Sequence, residues 1–424
     1  MTAPAATPNR VLHLSLVLGG DLLGRAGGRI GRVDDLVVRL GDDGYPPVTG
    51  LLARIAGRQV FVSAEAVAEL DQGAARLATD RLDLRPFGRR PQEVLLGKDV
   101  LDRQLIDVDG ARLRRANDLD LARLDGWWRV VGVDVGPRGI VRRILPRRYG
   151  RWVGDSQVLD WSLVEPFTGH VPTVRLRIPH PKLVRLHPAE LADLVEAASH
   201  NEGREIIHAV GDDEELEADV FEELDPQHRR EFVEERPDQE VAHLLERMEP
   251  DDAVDLLGDL PDERREEVIR LLPPVQRRRV RALAGYDPAT AGGLMSPEFV
   301  CLYAQASKGE AIERIERSRA PADTLGWIYV MNLDRRLKGA IALADLLRAP
   351  PGDAMGDVAT FLPPRVPPEA DIEEVARLMT DYDLTVVPVV DGRDQILGVV
   401  SVDDVLEMVL PRGWRRRFDV LGGG

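Results

Sequence analysis

A chain of 424 residues is too long for one ordinary domain, and its formal charge of -17 disfavours nucleic acid as a partner. Asp and Glu outnumber Lys and Arg by 73 to 56, a balance that favours cations instead. Cys301 is the only cysteine, which excludes an intramolecular disulfide and a thiolate metal cluster and suits a reducing cytoplasm.

The opening MTAPAATPNR lacks the apolar core of a secretory signal and reads as a short tail. No apolar run approaches the roughly 20 residues that cross a bilayer. The longest runs, such as 384–390, have the length of buried strands. The expectation is a cytoplasmic protein that cannot conduct ions alone, with peripheral association at a membrane left open.

From about residue 10 to 182, short apolar runs alternate with turns. The segment LLGRAGGRIGRVDDLVVRL is followed by the turn GDDGYPP and the strands VTGLLARI and RQVFVSA. Ile30, Val33, Leu36 and Val38 around Gly31 suggest strands bent by glycine, as a small barrel requires. A diluted copy follows, in which WWRVVGVDV parallels VTGLLARI, with Leu113 and Ala116 standing where Ile30 and Val33 stand. The pattern resembles the PRC-barrel family, which implies one such domain over 10–86 and a second with its linker over 92–182. The glycines of GRAGGRIG are read as turns, because no G-x-x-x-x-G-K-[ST] phosphate loop occurs. Arg147, Arg148, Tyr149, Arg151 and Trp152 form a basic–aromatic cluster. It is either a solvated loop or a surface that docks an acidic partner or membrane.

Helix starts recur from 183 to 283, where Pro188, Pro226, Pro237, Pro250, Pro261 and Pro273 each precede an amphipathic segment. Proline fits the first helical position because its missing N–H would have no intrahelical partner there. Each short helix buries its stripe only against neighbours, which predicts a helical superhelix. Asp251, Asp252 and Asp255 crowd one such helix, and Asp219 takes the parallel position in EADVFEELDP. First-turn carboxylates stabilise a helix dipole without any metal, but they are also the ligands that hard cations need.

Two copies of one strand–helix–strand–strand–helix plan follow GYDPATAGGLM, over 296–350 and 351–411. Hairpin chemistry is read at 330–334 and at Val389, Val390, Asp391 and Gly392. The copies resemble a tandem pair of CBS domains. With GYDPATAGGLM and the proline-started helices, the order resembles the cytosolic half of the MgtE family of magnesium channels and transporters, with 183–295 as its intracellular N domain and the transmembrane part absent. The fold class expected is therefore multidomain α+β: N-terminal small β-barrels, a helical superhelix and a tandem CBS pair.

The MgtE resemblance implies magnesium positions at Asp219, Asp251, Asp255, Asp371, Glu373, Asp383, Asp404 and Glu407, with Gly292 offering a carbonyl. The CBS resemblance implies an adenine-nucleotide motif, Gly-x-x-[Ser/Thr]-x-x-Asp, kept as Gly398, Ser401 and Asp404. Ser401 and Asp404 read equally well as a helix cap and its first turn. The first copy has Gly339 and Asp345 but Ala342 at the hydroxyl position. Where the family continues acidic, the segment 412–424 is basic, with Arg415 and Arg416.

The reading is thus a magnesium-sensing regulatory protein in which Mg2+ bridges the acidic helices and the CBS pair, switching open and closed states. The alternatives are an adenine-nucleotide module responding to ATP or a relative, or a soluble component of a transporter completed by a separate membrane protein. Expected partners are a divalent cation, a second copy through the CBS domains, and an unknown protein or membrane, with no nucleic acid. No enzyme is expected: HExxH and GxSxG are missing, and Cys301 has no nearby histidine.

Overall fold

In a computed structural model, residues 11–41, 44–79, 87–154, 157–167, 182–322, 324–359 and 361–410 are described. The opening tail and the basic segment 412–424, with Arg415 and Arg416, lie outside them. The architecture is α+β: a β-rich region, a series of short helices and a pair of βαββα units. The chain divides into two units, residues 1–228 and 229–424.

The first unit begins with β1 (Leu12–His13), α1 (Leu14–Val17), β2 (Asp21–Leu23), β3 (Arg29–Arg39), β4 (Val48–Ile55), β5 (Arg58–Ser63), β6 (Val67–Asp71) and β7 (Ala74–Leu77). There follow β8 (Glu93–Leu95), β9 (Gln104–Asp107), β10 (Arg112–Arg115), β11 (Asp118–Leu124), β12 (Trp127–Asp134), α2 (Pro137–Ile144), α3 (Arg147–Gly150), β13 (Val158–Asp160) and β14 (Val164–Pro166). Each of the two stretches matched in sequence forms an antiparallel hairpin, β3–β4 and β11–β12. Gly31 is required, since a Cβ there would meet the Arg54 carbonyl oxygen of β4 at 2.5 Å. Among the described residues the main ladder is an open path, β5-β4-β3-β2-β7-β6.

The two copies exchange their leading strands. β1 pairs with β11 of the second copy, and β8 pairs with β3 of the first. A matched pair of buried aspartates locks the exchange. Asp35 accepts from the Gly97 and Lys98 amides at 2.7 and 3.0 Å. Asp118, at the same offset that aligns Val33 with Ala116, accepts from the Ser15 amide at 3.0 Å and hydroxyl at 2.6 Å. One hydrophobic core joins both copies, from Leu12 and Leu36 to Leu119, Val133 and Trp161. Charges buried here need partners; Arg142 accordingly sits between Asp118 at 2.8 Å and Asp134 at 3.4 Å, all three buried.

The helical series is α4 (Pro188–Ala197), α5 (His200–Val210), α6 (Glu214–Glu223), α7 (Pro226–Glu234), α8 (Asp238–Arg247), α9 (Pro250–Asp259), α10 (Asp262–Leu271) and α11 (Pro274–Leu283). Prolines start these helices as the sequence predicts. Pro188, Pro226 and Pro250 open α4, α7 and α9, while Pro237, Pro261 and Pro273 stand just before α8, α10 and α11. Within the first unit α4 packs on α5 and α6; within the second, α8 packs on α10 and α9 on α11. That alternation is what a superhelix of short amphipathic helices requires.

The second unit ends in the paired units. The first comprises β15 (Val300–Tyr303), α12 (Lys308–Glu316), β16 (Trp327–Met331), β17 (Leu337–Ala342) and α13 (Leu343–Arg348); α14 (Met355–Val358) follows. The second comprises α15 (Ile372–Tyr382), β18 (Val386–Val390), β19 (Ile396–Ser401) and α16 (Val402–Val409), with Val366 bridging parallel to Val389 as its leading strand. The two hairpins share one geometry, closed from the Asn332 amide to the Arg336 carbonyl and from the Asp391 amide to the Gln395 carbonyl. Their left-handed residues are Arg335 and Asp394, not the Gly392 to which a hairpin reader turns first. The units join through Tyr329, Leu337, Ala340, Val386, Val390 and Val399.

Candidate functional site

The acidic helix α9 is tied to the second βαββα unit. Val254, flanked by Asp251 and Asp255, packs on a core that contains Leu283, Ala291, Val375, Met379, Val387 and Val405. That single core therefore supports the elements that carry Asp251, Asp255, Asp371, Glu373, Asp383, Asp404 and Glu407. Asp251 lies in the first turn of α9 and Asp255 one turn further on. Burial pushes the Asp255 carboxyl above the usual carboxylate range; the Arg229 guanidinium opposes this and Asp259 adds to it. Arg229, which opposes that rise, is itself engaged with Asp259 at 3.1 Å.

Gly292 sits where the helical series enters the paired units. Its amide donates to the Pro368 carbonyl at 2.8 Å, and the neighbouring Ala291 amide donates to Ala370 at 2.9 Å. A Cβ at Gly292 would lie 2.7 Å from Tyr286 Cδ1 and 2.9 Å from the Pro368 oxygen. The glycine is therefore demanded by backbone approach, whatever its carbonyl binds.

The acidic positions of the second unit lie at the ends and along the faces of α15 and α16. Asp371 caps α15, its carboxylate accepting from the Glu374 amide at 2.7 Å. Glu373 follows in the first turn, exposed. Asp383 ends the helix in the left-handed conformation, φ 53° and ψ 42°, which an Asp tolerates better than most residues. Ser401 and Asp404 form a capping box at α16, and Glu407 lies one turn along the same helix, exposed. Gly398 passes under Met295 and Ser296, where a Cβ would meet the Ser296 oxygen at 2.8 Å.

Asp219 belongs to the first unit, in the second half of α6 rather than its first turn. Burial and the neighbouring Glu215 and Asp213 raise its carboxyl, with His187 drawing it down.

Two features escaped the sequence reading. A cleft of about 750 Å³ opens beside β15 and α12, lined by Arg279, Arg314, Arg317, Arg319 and Arg335 with Glu298, Glu310 and Glu313 around Cys301. Arg279 pairs with Glu298 and Arg317 with Glu313, whereas Arg314, Arg319 and Arg335 have no carboxylate partner among the described residues. The spacing RIERSR, which runs off the C-terminal end of α12, was the signal available. In the first unit, Glu196, Asp225 and His228 bring ligand atoms within 4.8 Å of one another. Asp225 also caps α7, accepting from the Gln227 amide at 2.9 Å and the His228 amide at 3.0 Å.

A helical series leading into a tandem βαββα pair defines the class, a regulatory region built on CBS domains. Residues 186–289 match the MgtE intracellular N domain, and residues 291–352 and 356–411 each match the CBS domain. The chain is 42% identical over 139 residues to the magnesium transporter MgtE of Thermus thermophilus, covering 33% of this chain and 31% of that protein. It is 32% identical over 130 residues to the magnesium transporter MgtE of Enterococcus faecalis, covering 31% and 29%. The chain thus spans about a third of the length of these curated relatives. A crystal structure of the cytosolic domain of the Mg2+ channel MgtE in complex with ATP superposes with a TM-score of 0.50 at 33% identity, covering 54% of this chain and 92% of that one. Residues 186–411 therefore carry an MgtE-type N domain followed by a tandem CBS pair, both regulatory or transport-related families. Among the described residues, no helix is long and apolar enough to cross a membrane.

Proposed function

We propose that this protein is a magnesium-responsive regulatory module in which Mg2+ draws the acidic helical domain and the second CBS unit together. The observation that carries the proposal is the placement of Asp251 and Asp255 on α9, whose Val254 shares a core with α15 and α16 and so with Asp371, Glu373, Asp383, Asp404 and Glu407. Without a cation these carboxylates repel, and the desolvated Asp255 is held above its ordinary range. Hard oxygen ligands of this kind suit magnesium, which keeps several waters and binds each site weakly. Weak sites fit the sensing of an abundant ion, and the switch can be no larger than the difference in affinity between open and closed states. Gly292 would add a backbone carbonyl to this set.

A second copy is the natural partner through the CBS pair. Tyr382 on α15 and Leu406, Met408 and Val409 on α16 remain large, apolar and exposed. The activity of a whole transporter, and the separate membrane protein that would complete one, belong to this proposal as downstream partners. The test is small-angle scattering with millimolar magnesium: compaction is expected, and unchanged dimensions without thermal stabilisation would contradict it.

A second reading, response to an adenine nucleotide, is favoured by the arginine-lined cleft beside Cys301. Guanidinium groups without carboxylate partners suit phosphate oxygens. Calorimetry with ATP, ADP and AMP separates the two; heat from nucleotide with none from magnesium would reverse their order.

A further inference from the structure

Helix α2 and the turn that follows it are built inside out. The buried face of α2 consists of Gly139 and Arg142, with the guanidinium held by Asp118 and Asp134. Its outer face presents Ile140, Val141 and Ile144, exposed by 41%, 45% and 77%. The surface continues through Leu145 to Tyr149 and Trp152, the latter 78% exposed. Six exposed large apolar side chains within 13 residues of sequence are unusual on a protein that has no use for them.

Charge is as one-sided as hydropathy. Between Asp134 and Asp155 the sequence holds no acidic residue, but it holds Arg138, Arg142, Arg143, Arg147, Arg148 and Arg151, in a chain of charge -17. Arg143 is engaged with Asp102, and Arg147 donates to the Leu18 carbonyl. Arg148 and Arg151 have no carboxylate partner among the described residues and lie over the rings of Tyr149 and Trp152, 4.7 and 5.5 Å from the centroids.

We propose that this face docks on an anionic lipid surface, with Ile140, Ile144, Tyr149 and Trp152 entering the headgroup layer and Arg148 and Arg151 pairing with phosphates. Trp and Tyr are the side chains that settle at a bilayer interface, and arginine stems reach from apolar depth to the headgroups. A protein partner is the poorer fit. Protein interfaces exchange hydrogen bonds in both directions, whereas 137–154 offers a single accepting side chain, the Tyr149 hydroxyl. Lipid phosphate only accepts. The inference is independent of the magnesium reading, which uses other residues.

The test is co-sedimentation of the full chain with phosphatidylcholine vesicles, with and without about one-third phosphatidylglycerol, at about 50 and about 500 mM salt. Binding is expected only to the anionic vesicles and should weaken at high salt. At roughly fivefold per arginine at the surface, R148E/R151E should lower partitioning at least tenfold. I144S/W152S should lower it similarly, and brominated lipid should quench a fluorescence component missing from Trp152→Phe. All these positions are exposed, so unchanged melting temperatures are expected and serve as the folding control. Lack of binding to anionic vesicles overturns the proposal. So does binding that survives R148E/R151E, since another surface such as 412–424 would then carry it. Dimerisation abolished by I144S/W152S without vesicle binding would show that a second copy covers the patch, and overturns it equally.

Discussion

The Ser401 hydroxyl donates to the Asp404 carboxylate at 2.8 Å, and the same carboxylate accepts from the Ser401 amide at 3.1 Å. The Asp404 amide in turn donates to the hydroxyl at 3.2 Å. The two residues that spell the nucleotide motif thus close the N-terminus of α16 upon each other. Ser401→Ala should lower the stability of the second unit by about 1 kcal/mol, the usual loss for an N-cap. Denaturant unfolding with no ligand present checks this. If the midpoint does not move, the cap contributes nothing and the motif exists for a ligand.

Gly292→Ala should destabilise the same unit by about 1–3 kcal/mol, because the added methyl collides with backbone at Pro368 and the ring of Tyr286. Gly398→Ala should behave likewise through the Ser296 carbonyl. Thermal melts of both variants without metal or nucleotide measure the effect. Unchanged melting would mean that the chain crossing yields freely.

Burial raises the Asp35 carboxyl from 3.8 to about 6 in the folded state, against the opposing pull of the Gly97, Leu36 and Lys98 amides. The folded form therefore binds a proton that the unfolded form has released between about pH 4 and 6, and unfolding there sets it free. Stability contributed by protonated Asp35 is full below the unfolded pKa and is lost as pH rises through about 6. The stability of wild type relative to Asp35→Asn should fall by about 2 kcal/mol from pH 4.5 to 7.5, read from unfolding of the β-rich unit. A pH-independent difference would contradict it.

Burial pushes the Cys301 thiol up to about 11, more than the Arg314 and Arg335 charges pull it down. The thiolate is the nucleophile, so Cys301 should react slowly with a disulfide reagent at pH 7.5 despite lining an arginine-rich cleft. Reaction as fast as that of a free thiol would place Cys301 in a far wetter site.

The sequence carried the elements well where one rule acts alone. Prolines at the first helical position mark α4, α7 and α9, and alternation with hairpin turns marks both βαββα units. Offsets between Val33 and Ala116 revealed the repeat. The strand exchange that interlocks the copies was illegible, because pairing of β1 with β11 and β8 with β3 depends on long-range register. The arginine cleft was hidden for a related reason: Arg279 comes from α11, Arg314 from α12 and Arg335 from a hairpin. At Asp371 and Asp404 the sequence could not separate capping from ligation, since both use the same oxygen atoms at a helix start.

Manganese, which takes the same oxygen ligands and scatters anomalously, tests the central claim most directly. Crystals soaked in millimolar Mn2+ should show anomalous peaks against Asp251 or Asp255 of α9 and against carboxylates of the second CBS unit, and Asp251→Asn/Asp255→Asn/Asp383→Asn should erase them. Peaks confined to other parts of the molecule, or equal divalent-ion affinity in the triple variant, would contradict the account.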